Sequence, residues 1–267
     1  MKKRCFSNKS LILSLIIAVI LISCDNKKAG LTVVFPKVSE PVQITKSDKE
    51  HLFASYYGIN SWSRDQRFVT VLETDIKYKL PDENEPATLG LVDLKTNDFI
   101  PLTQTRAWNF QQGCMAHWLA TSPDSLIIYN DFRNGKYVSV ILNVHTGREI
   151  KTIPYPVSAV SPNGKEAVSL NFSRLRLTRP DYGYGGNGQD PQADIQLPDN
   201  DGLFLVNLET GEAKLIVSLA QVKDLVPPVK EGYIGWFNHT LFSRNGSKIF
   251  WLSRQMDGTK RITTSLT

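Results

Sequence analysis

The chain has 267 residues, 41% hydrophobic and 21% charged, with three cysteines and a formal net charge of +5. That composition excludes a disordered charged tail, a collagen-like repeat and a disulfide-stapled miniprotein, and the length suits one large domain or two small ones. Nor does the positive balance point to nucleic acid. Lys2, Lys3, Arg4 and Lys9 lie in the first 24 residues, which hold no acid, and the rest carries 27 basic against 26 acidic residues.

The first 24 residues read as an export signal. "MKKR" supplies a charged start, and "SLILSLIIAVILIS" is an apolar run flanked as a secretory leader is. The run ends in "LISC", which resembles the lipobox of bacterial lipoproteins. That resemblance implies cleavage before Cys24, lipidation of its sulfur, and a place in the cell envelope facing the periplasm or the cell surface. An uncleaved anchor is the alternative. Several acyl chains on one residue hold a soluble domain at a bilayer where one would not. Of the other cysteines, Cys5 lies in the leader and Cys114 is left alone in the folded part, so no internal disulfide forms. About 240 residues are enough to be stable by burial alone. Residues 25–49 are polar and charged and read as a tether, although "LTVVF" (Leu31 to Phe35) is also strand-like.

From residue 50 onward the chain repeats. Four turns, "SRDQ" at Ser63, "SPDS" at Ser122, "SPNG" at Ser161 and "SRNG" at Ser243, each precede a strand-like run: "RFVTVLE", "LIIYNDF", "EAVSLNF" and "KIFWLSR". A second hairpin follows in three of the units. "LGLVDLKTNDFIPLT", "VSVILNVHTGREIKTI" and "LFLVNLETGEAKLIV" align on Thr96, Thr146 and Thr210, and Gly147 and Gly211 suit a positive φ. Two hairpins make a four-stranded antiparallel sheet, with strands A to D. The expected fold is therefore all-β: a β-propeller of four-stranded blades, incomplete at about three and a half blades, spanning 50–267. The units run from Ser63 to Thr103, His117 to Ile153 and Val157 to Val217, and a fourth begins at Phe237 and ends on a third strand, "KRITTSLT". Trp62, Trp118, Trp236 and Trp251 lie near strand ends, where they are expected to pack between blades.

Spacing places the loops. From A–B Ser to C–D Thr the units span 33, 24 and 49 residues, and from Thr to the next Ser 26, 15 and 33. The excess falls in the B–C and D–A connections, which leave an up-and-down blade at the same end. One face therefore carries the long loops, where binding residues usually sit. The largest insertion, Ser173 to Asp201, holds Arg174, Arg176, Arg179, Tyr182 and Tyr184. Arginine forks and tyrosine rings suit planar acids and sugars. Gln111, Gln112 and His117 fall in one D–A loop, and Asn238 and His239 in another.

The "SPNGK" and "VNLETGE" elements resemble TolB-type and tryptophan-aspartate-like propeller repeats, whose members close a ring of about seven blades. This chain has fewer, so an open edge or a completing partner chain is expected. "FNHTLFSRNGSKIFWLSR" is also similar to the oligogalacturonate-lyase-like propellers. That likeness implies a divalent metal at His239 and a catalytic role for it. His117, His145 and His51 do not complete such a site: His145 is expected in a C–D turn on the opposite face and His51 in the tether. The function these readings favour is binding of a ligand, a saccharide or a protein partner, at the loop-rich face. The alternative is a metal-assisted lyase on acidic oligosaccharides.

Overall fold

The computed structural model describes residues 37–185 and 189–267. The leader with Cys24, and Leu31 to Phe35, lie outside the described residues. The chain forms two compact units, Met1–Val42 and Gln43–Thr267. Of the first, only residues 37–42 are described, and they carry no helix or strand.

The second unit is a β-propeller of four antiparallel sheets. Blade 1 pairs β1 (Glu50–Phe53), β2 (Phe68–Thr74), β3 (Ala87–Asp93) and β4 (Asp98–Thr105) in that order. Blade 2 is β5 (His117–Trp118), β6 (Leu126–Arg133), β7 (Lys136–Asn143) and β8 (Arg148–Ile153). Blade 3 is β9 (Ala159–Val160), β10 (Glu166–Ser169), β11 (Gly202–Asn207) and β12 (Ala213–Ser218). Blade 4 has three strands, β13 (Trp236–Phe242), β14 (Ile249–Asp257) and β15 (Lys260–Leu266). One short helix, α1 (Phe172–Thr178), interrupts the B–C connection of blade 3; Asn171 caps it by accepting from the Arg174 N–H. The sequence pattern placed Asn171 and Phe172 at the end of a strand, but the strand stops at Ser169. Among the described residues no helix is long and apolar enough to cross a membrane.

The serine turns show why the repeat was legible. In blades 1, 3 and 4 the serine hydroxyl donates to an Asp or Asn two residues on (Asp65, Asn163, Asn245). The same hydroxyl accepts from the N–H five residues on, at Phe68, Glu166 and Lys248. The residue after the Asp or Asn takes a positive φ: Gln66, Gly164 and Gly246. Ser122 departs from this pattern. In blade 2 the ladder closes earlier, between Leu119 and Leu126, so Leu119 occupies the corner and Ser122 sits inside a longer turn. Asp124, released from its own turn, accepts from the Asp65 N–H of blade 1. The C–D turns agree throughout. Asn97, Gly147 and Gly211 have positive φ, and Thr96, Thr146 and Thr210 accept from the N–H two residues later.

Strand alternation gives each blade two apolar faces, and neighbouring blades bury them. Leu89 and Leu91 of blade 1 meet Ile127, Tyr129 and Val140 of blade 2. Ile128 and Ile141 meet Ala167 and Val206 of blade 3. Val168 and Leu203 join Phe237 and Trp251 of blade 4. The remaining face of blade 1, Val69, Val71 and Val92, packs against Ile44 and Phe99. Gly90 permits this, because a Cβ there would meet the Phe99 ring. Residues 43–49, read as tether, thus lie against blade 1, and Lys46 donates to the Thr96 carbonyl. His51 is not in a tether but in β1, with Nε2 3.2 Å from Glu73 Oε2. Of the tryptophans, Trp236 and Trp251 are buried, while Trp62 keeps 43% of its surface exposed.

Four of the long connections, 75–86, 106–116, 170–201 and 219–235, are B–C or D–A as the spacing implied, but the A–B connection of blade 1, 54–67, is also long; Asn134–Gly135 and Gly258–Thr259 close tight B–C turns. If the serine hydroxyl organises the A–B corner, Ser161→Ala and Ser243→Ala each cost about 1 kcal/mol. Ser122→Ala, whose hydroxyl closes no corner, is close to neutral. Urea unfolding of the three variants checks this, and equal losses would refute the assignment of corners.

Candidate functional site

Residues 56–64, which follow β1, line a cavity of about 430 Å3 together with the inner strands β5, β9 and β13. Its wall runs from Arg64, Pro123, Pro162 and Arg244 at the A–B turns to Tyr56 and Gln112 near the long connections. In blades 1, 2 and 4 the chain at the inner strand departs from regular geometry beside this space. In blade 1 the chain leaves β2 after Phe53 and rejoins it at Trp62, so residues 54–61 form an excursion. Its base is held by Ala54, whose carbonyl accepts from the N–H groups of Cys114 and Ala116. In blade 2 Met115, and in blade 4 His239, take positive φ, and the β13–β14 register shifts at His239. A non-glycine residue in that region is strained, and surrounding structure must hold it there. For blade 4 one such hold is the bond from Thr240 Oγ1 to Ser158 Oγ of blade 3, at 2.7 Å.

The residues singled out in the sequence separate into three groups. Arg174 and Tyr184 are interior. Arg174 is 1% exposed, and its guanidinium donates to Asp190 Oδ2 at 2.9 Å and to the carbonyls of Gln192, Ile195, Gln196 and Gly235. All five of its donors are engaged in folding the insertion around α1, and none is left for a ligand. Tyr184 is fully buried, stacks on Phe172 at 4.6 Å, and accepts from Asn130 Nδ2. Arg176 stands apart at the surface and donates to the Pro180 carbonyl.

The third group converges on the mouth. The His239 ring lies 5.1 Å from Tyr56, 5.6 Å from Tyr182 and 6.3 Å from Tyr57. Arg179 lies over the Tyr182 ring at 4.6 Å while pairing with Asp181. Gln112 ties the cluster to blade 2 by donating from Nε2 to the Tyr182 carbonyl, and Gln111 contributes its backbone N–H to Asn109. His117 lines the same cavity, its Nδ1 2.7 Å from the Met115 carbonyl. Because a carbonyl only accepts, Nδ1 carries the proton and Nε2 the lone pair. Asn238, beside His239 in β13, is buried. His145 lies in the C–D turn of blade 2, as its position in the repeat implied, and is exposed.

Sequence reasoning missed Tyr56, Tyr57 and Arg254. Two adjacent tyrosines before Gly58, breaking an apolar run, were the available signal. Burial, then the neighbouring Tyr57 and Tyr182 phenols, keep Tyr56 protonated far above its ordinary range. Burial, then Arg254 and Arg179, push His239 down to about 4. The imidazole is therefore neutral at pH 7, and a ring of such low basicity makes a weak general base.

A divalent cation does not fit at His239. The groups facing it are phenols and two guanidinium ions. Hard divalent cations take carboxylates and carbonyls, and like charges repel them. Among the described residues no three His, Cys, Asp or Glu side chains gather where a metal could sit.

The architecture defines the protein as a β-propeller, with three four-stranded blades and one three-stranded blade about a ring-lined cavity. Solved structures share this fold. TolB from Acinetobacter baumannii is 13% identical with a TM-score of 0.42, over 86% of this chain and 46% of that one. An oligogalacturonate lyase in complex with manganese is 13% identical with a TM-score of 0.40, over 83% and 65%. The chain thus spans less than two thirds of the length of either. No protein-family model matches it, and no curated protein does.

Buried His117 gives the cavity a pH signature. Its pKa is pushed down to about 4 by burial, against about 6.5 in an unfolded chain. The unfolded state therefore binds a proton that the native state excludes. Its contribution is complete above pH 6.5 and lost as pH falls toward 4. Between pH 7 and 4.5, His117→Gln should lose about 2 kcal/mol less stability than the parent chain, measured by urea unfolding at each pH. Parallel curves would show that His117 is not held neutral.

Proposed function

We propose that the protein is an exported β-propeller, anchored in the cell envelope through lipid on Cys24, that binds a saccharide at its loop-rich mouth. One observation carries the binding reading. Rings from three blades, Tyr56 and Tyr57, Tyr182, and His239, meet with centroids 4.1 to 6.3 Å apart. Tyr57 leaves 73% of its surface open there. Exposed phenols offer an apolar face for the C–H side of a pyranose and a hydroxyl for its edge. His239 stands on β13, Tyr56 and Tyr57 on an excursion tied down at Ala54, and Tyr182 on an insertion that Arg174 holds from within, so little ordering opposes binding. The anchor reading is supported by the leader ending in "LISC".

The test is a soluble oligosaccharide panel followed by calorimetry on the best binder. Tyr57→Ala and Tyr182→Ala should each weaken binding about tenfold, near 1.4 kcal/mol. A panel in which no sugar binds, or binds with equal affinity to both variants, overturns the reading. For the anchor, palmitate label should follow Cys24 and vanish in Cys24→Ala.

A further inference from the structure

One face of blade 4 carries two polar side chains whose bonding is unfinished. In the β13–β14 ladder Trp236 lies opposite Arg254, and Asn238 opposite Leu252. Opposed residues share a face, and so do positions two apart along a strand. Asn238 and Arg254 are therefore diagonal neighbours on one face of the sheet. Asn238 is 2% exposed, yet among the described residues both its Nδ2 and its Oδ1 lack a partner, and so does the buried Nε of Arg254. An unmet buried donor is destabilising, and more so when it is charged.

Arg254 also lacks a counter-charge. Arg67, Arg133, Arg174 and Arg179 each pair with a carboxylate, at 2.6 to 2.9 Å. Among the described residues Arg254 makes no ion pair and no hydrogen bond. Its titratable neighbours are the Arg179 guanidinium and the phenols of Tyr182, Tyr56 and Tyr57, and burial is the main force pulling its pKa below the usual range. Asp181, the acid beside Arg179, already pairs with it. Two cations against one anion leave the site net positive, with donors pointing into partly dry surroundings, where an anion is bound most strongly.

We infer that Asn238 and Arg254 hold an oxyanion, a carboxylate or phosphate group, beside the ring cluster at the mouth. As a group on the bound ligand this rests on the saccharide reading above. The amide N–H of Asn238 and the guanidinium of Arg254 donate to it, and the phenol hydroxyls close its open side. The saccharide at the mouth is then an anionic one, with its charged substituent turned toward blade 4.

Titration of the full chain with inorganic phosphate, and separately with acetate, tests this against chloride at equal ionic strength. The readout is the NMR shift of the Asn238 side-chain amide and the His239 ring. Saturation with phosphate or acetate but not chloride, weakened at least tenfold in Arg254→Gln and partly kept in Arg254→Lys, is the expected result. The anion that binds more tightly identifies the substituent. Should Arg254→Gln fail to fold, Asn238→Asp serves instead. Its carboxylate occupies the place of the anion, so it should raise the melting temperature and abolish saturation. Shifts that follow chloride equally, or saturation unchanged in Arg254→Gln or Asn238→Asp, would overturn the inference. A sugar whose binding needs Tyr182 but is indifferent to Arg254 would also overturn it, while leaving the saccharide reading intact. Anion saturation without any sugar binding would do the reverse.

Discussion

A propeller blade cannot bury its own apolar surface. Its strands alternate, so both faces of the sheet are half apolar, and each must be covered by something outside the blade. Here that covering is nearly complete inside the arc: blades 1 and 2, 2 and 3, and 3 and 4 each share one contiguous core. The two terminal faces are where the constraint is met in other ways. Blade 1 covers its free face with Ile44 and with Phe99 folded over Gly90. Blade 4 meets it by composition. Its β14 turns Trp251, Ser253 and Gln255 inward, all buried, and leaves Arg254 and Leu252 on the other side. The opposite face mixes apolar Trp236 and Leu252 with polar Asn238 and Arg254, and Arg254 brings it beside the phenols of the mouth.

The inner strands supply the second half of that argument. A regular strand at the channel would present alternating side chains and no more. The excursion of residues 54–61, and the positive φ at Met115 and His239, re-aim side chains at the mouth. Irregular pairing of this kind is common beside binding sites because it is the cheapest way to redirect a side chain without losing the sheet. The cost is met by tertiary bonds such as Thr240 to Ser158 and Ala54 to Cys114. The arrangement is consequently stiff where the rings meet.

The architecture was legible because turns are local. A serine that bonds two and five residues away needs only its own hexapeptide, and so "SPNG" announces its corner wherever it falls. The same locality explains the one lapse. In "SPDS" no positive φ follows the Asp, and the ladder closes at Leu119 instead; "SRDQ" also lacks a glycine, but its Gln66 takes the positive φ and the corner forms. The site was far less legible, since it depends on who meets whom across the arc. Arg174 and Tyr184 looked like ligand-facing residues in a glycine-rich loop. Nothing nearby in sequence says that Asp190, sixteen residues on, would meet the first, or that Asn130 in blade 2 would meet the second. Arg254 was passed over as the tail of an apolar strand, because the absence of a partner is visible only once every neighbour is placed.

Electrostatics then discriminates between chemistries that composition left equal. An imidazole at a channel mouth serves equally well as a metal ligand, a base or a stacking surface. Which of these it is follows from the sign of the charge around it. Carboxylates near His239 would raise its pKa and draw a cation; the residues present are two guanidinium groups, and they do the opposite. A neutral ring among phenols, with cationic and amide donors to one side, favours a ligand with an apolar ring face and a negative edge. On the binding proposed for the mouth, the same two arginines that disfavour a metal at His239 would select for an anionic ligand.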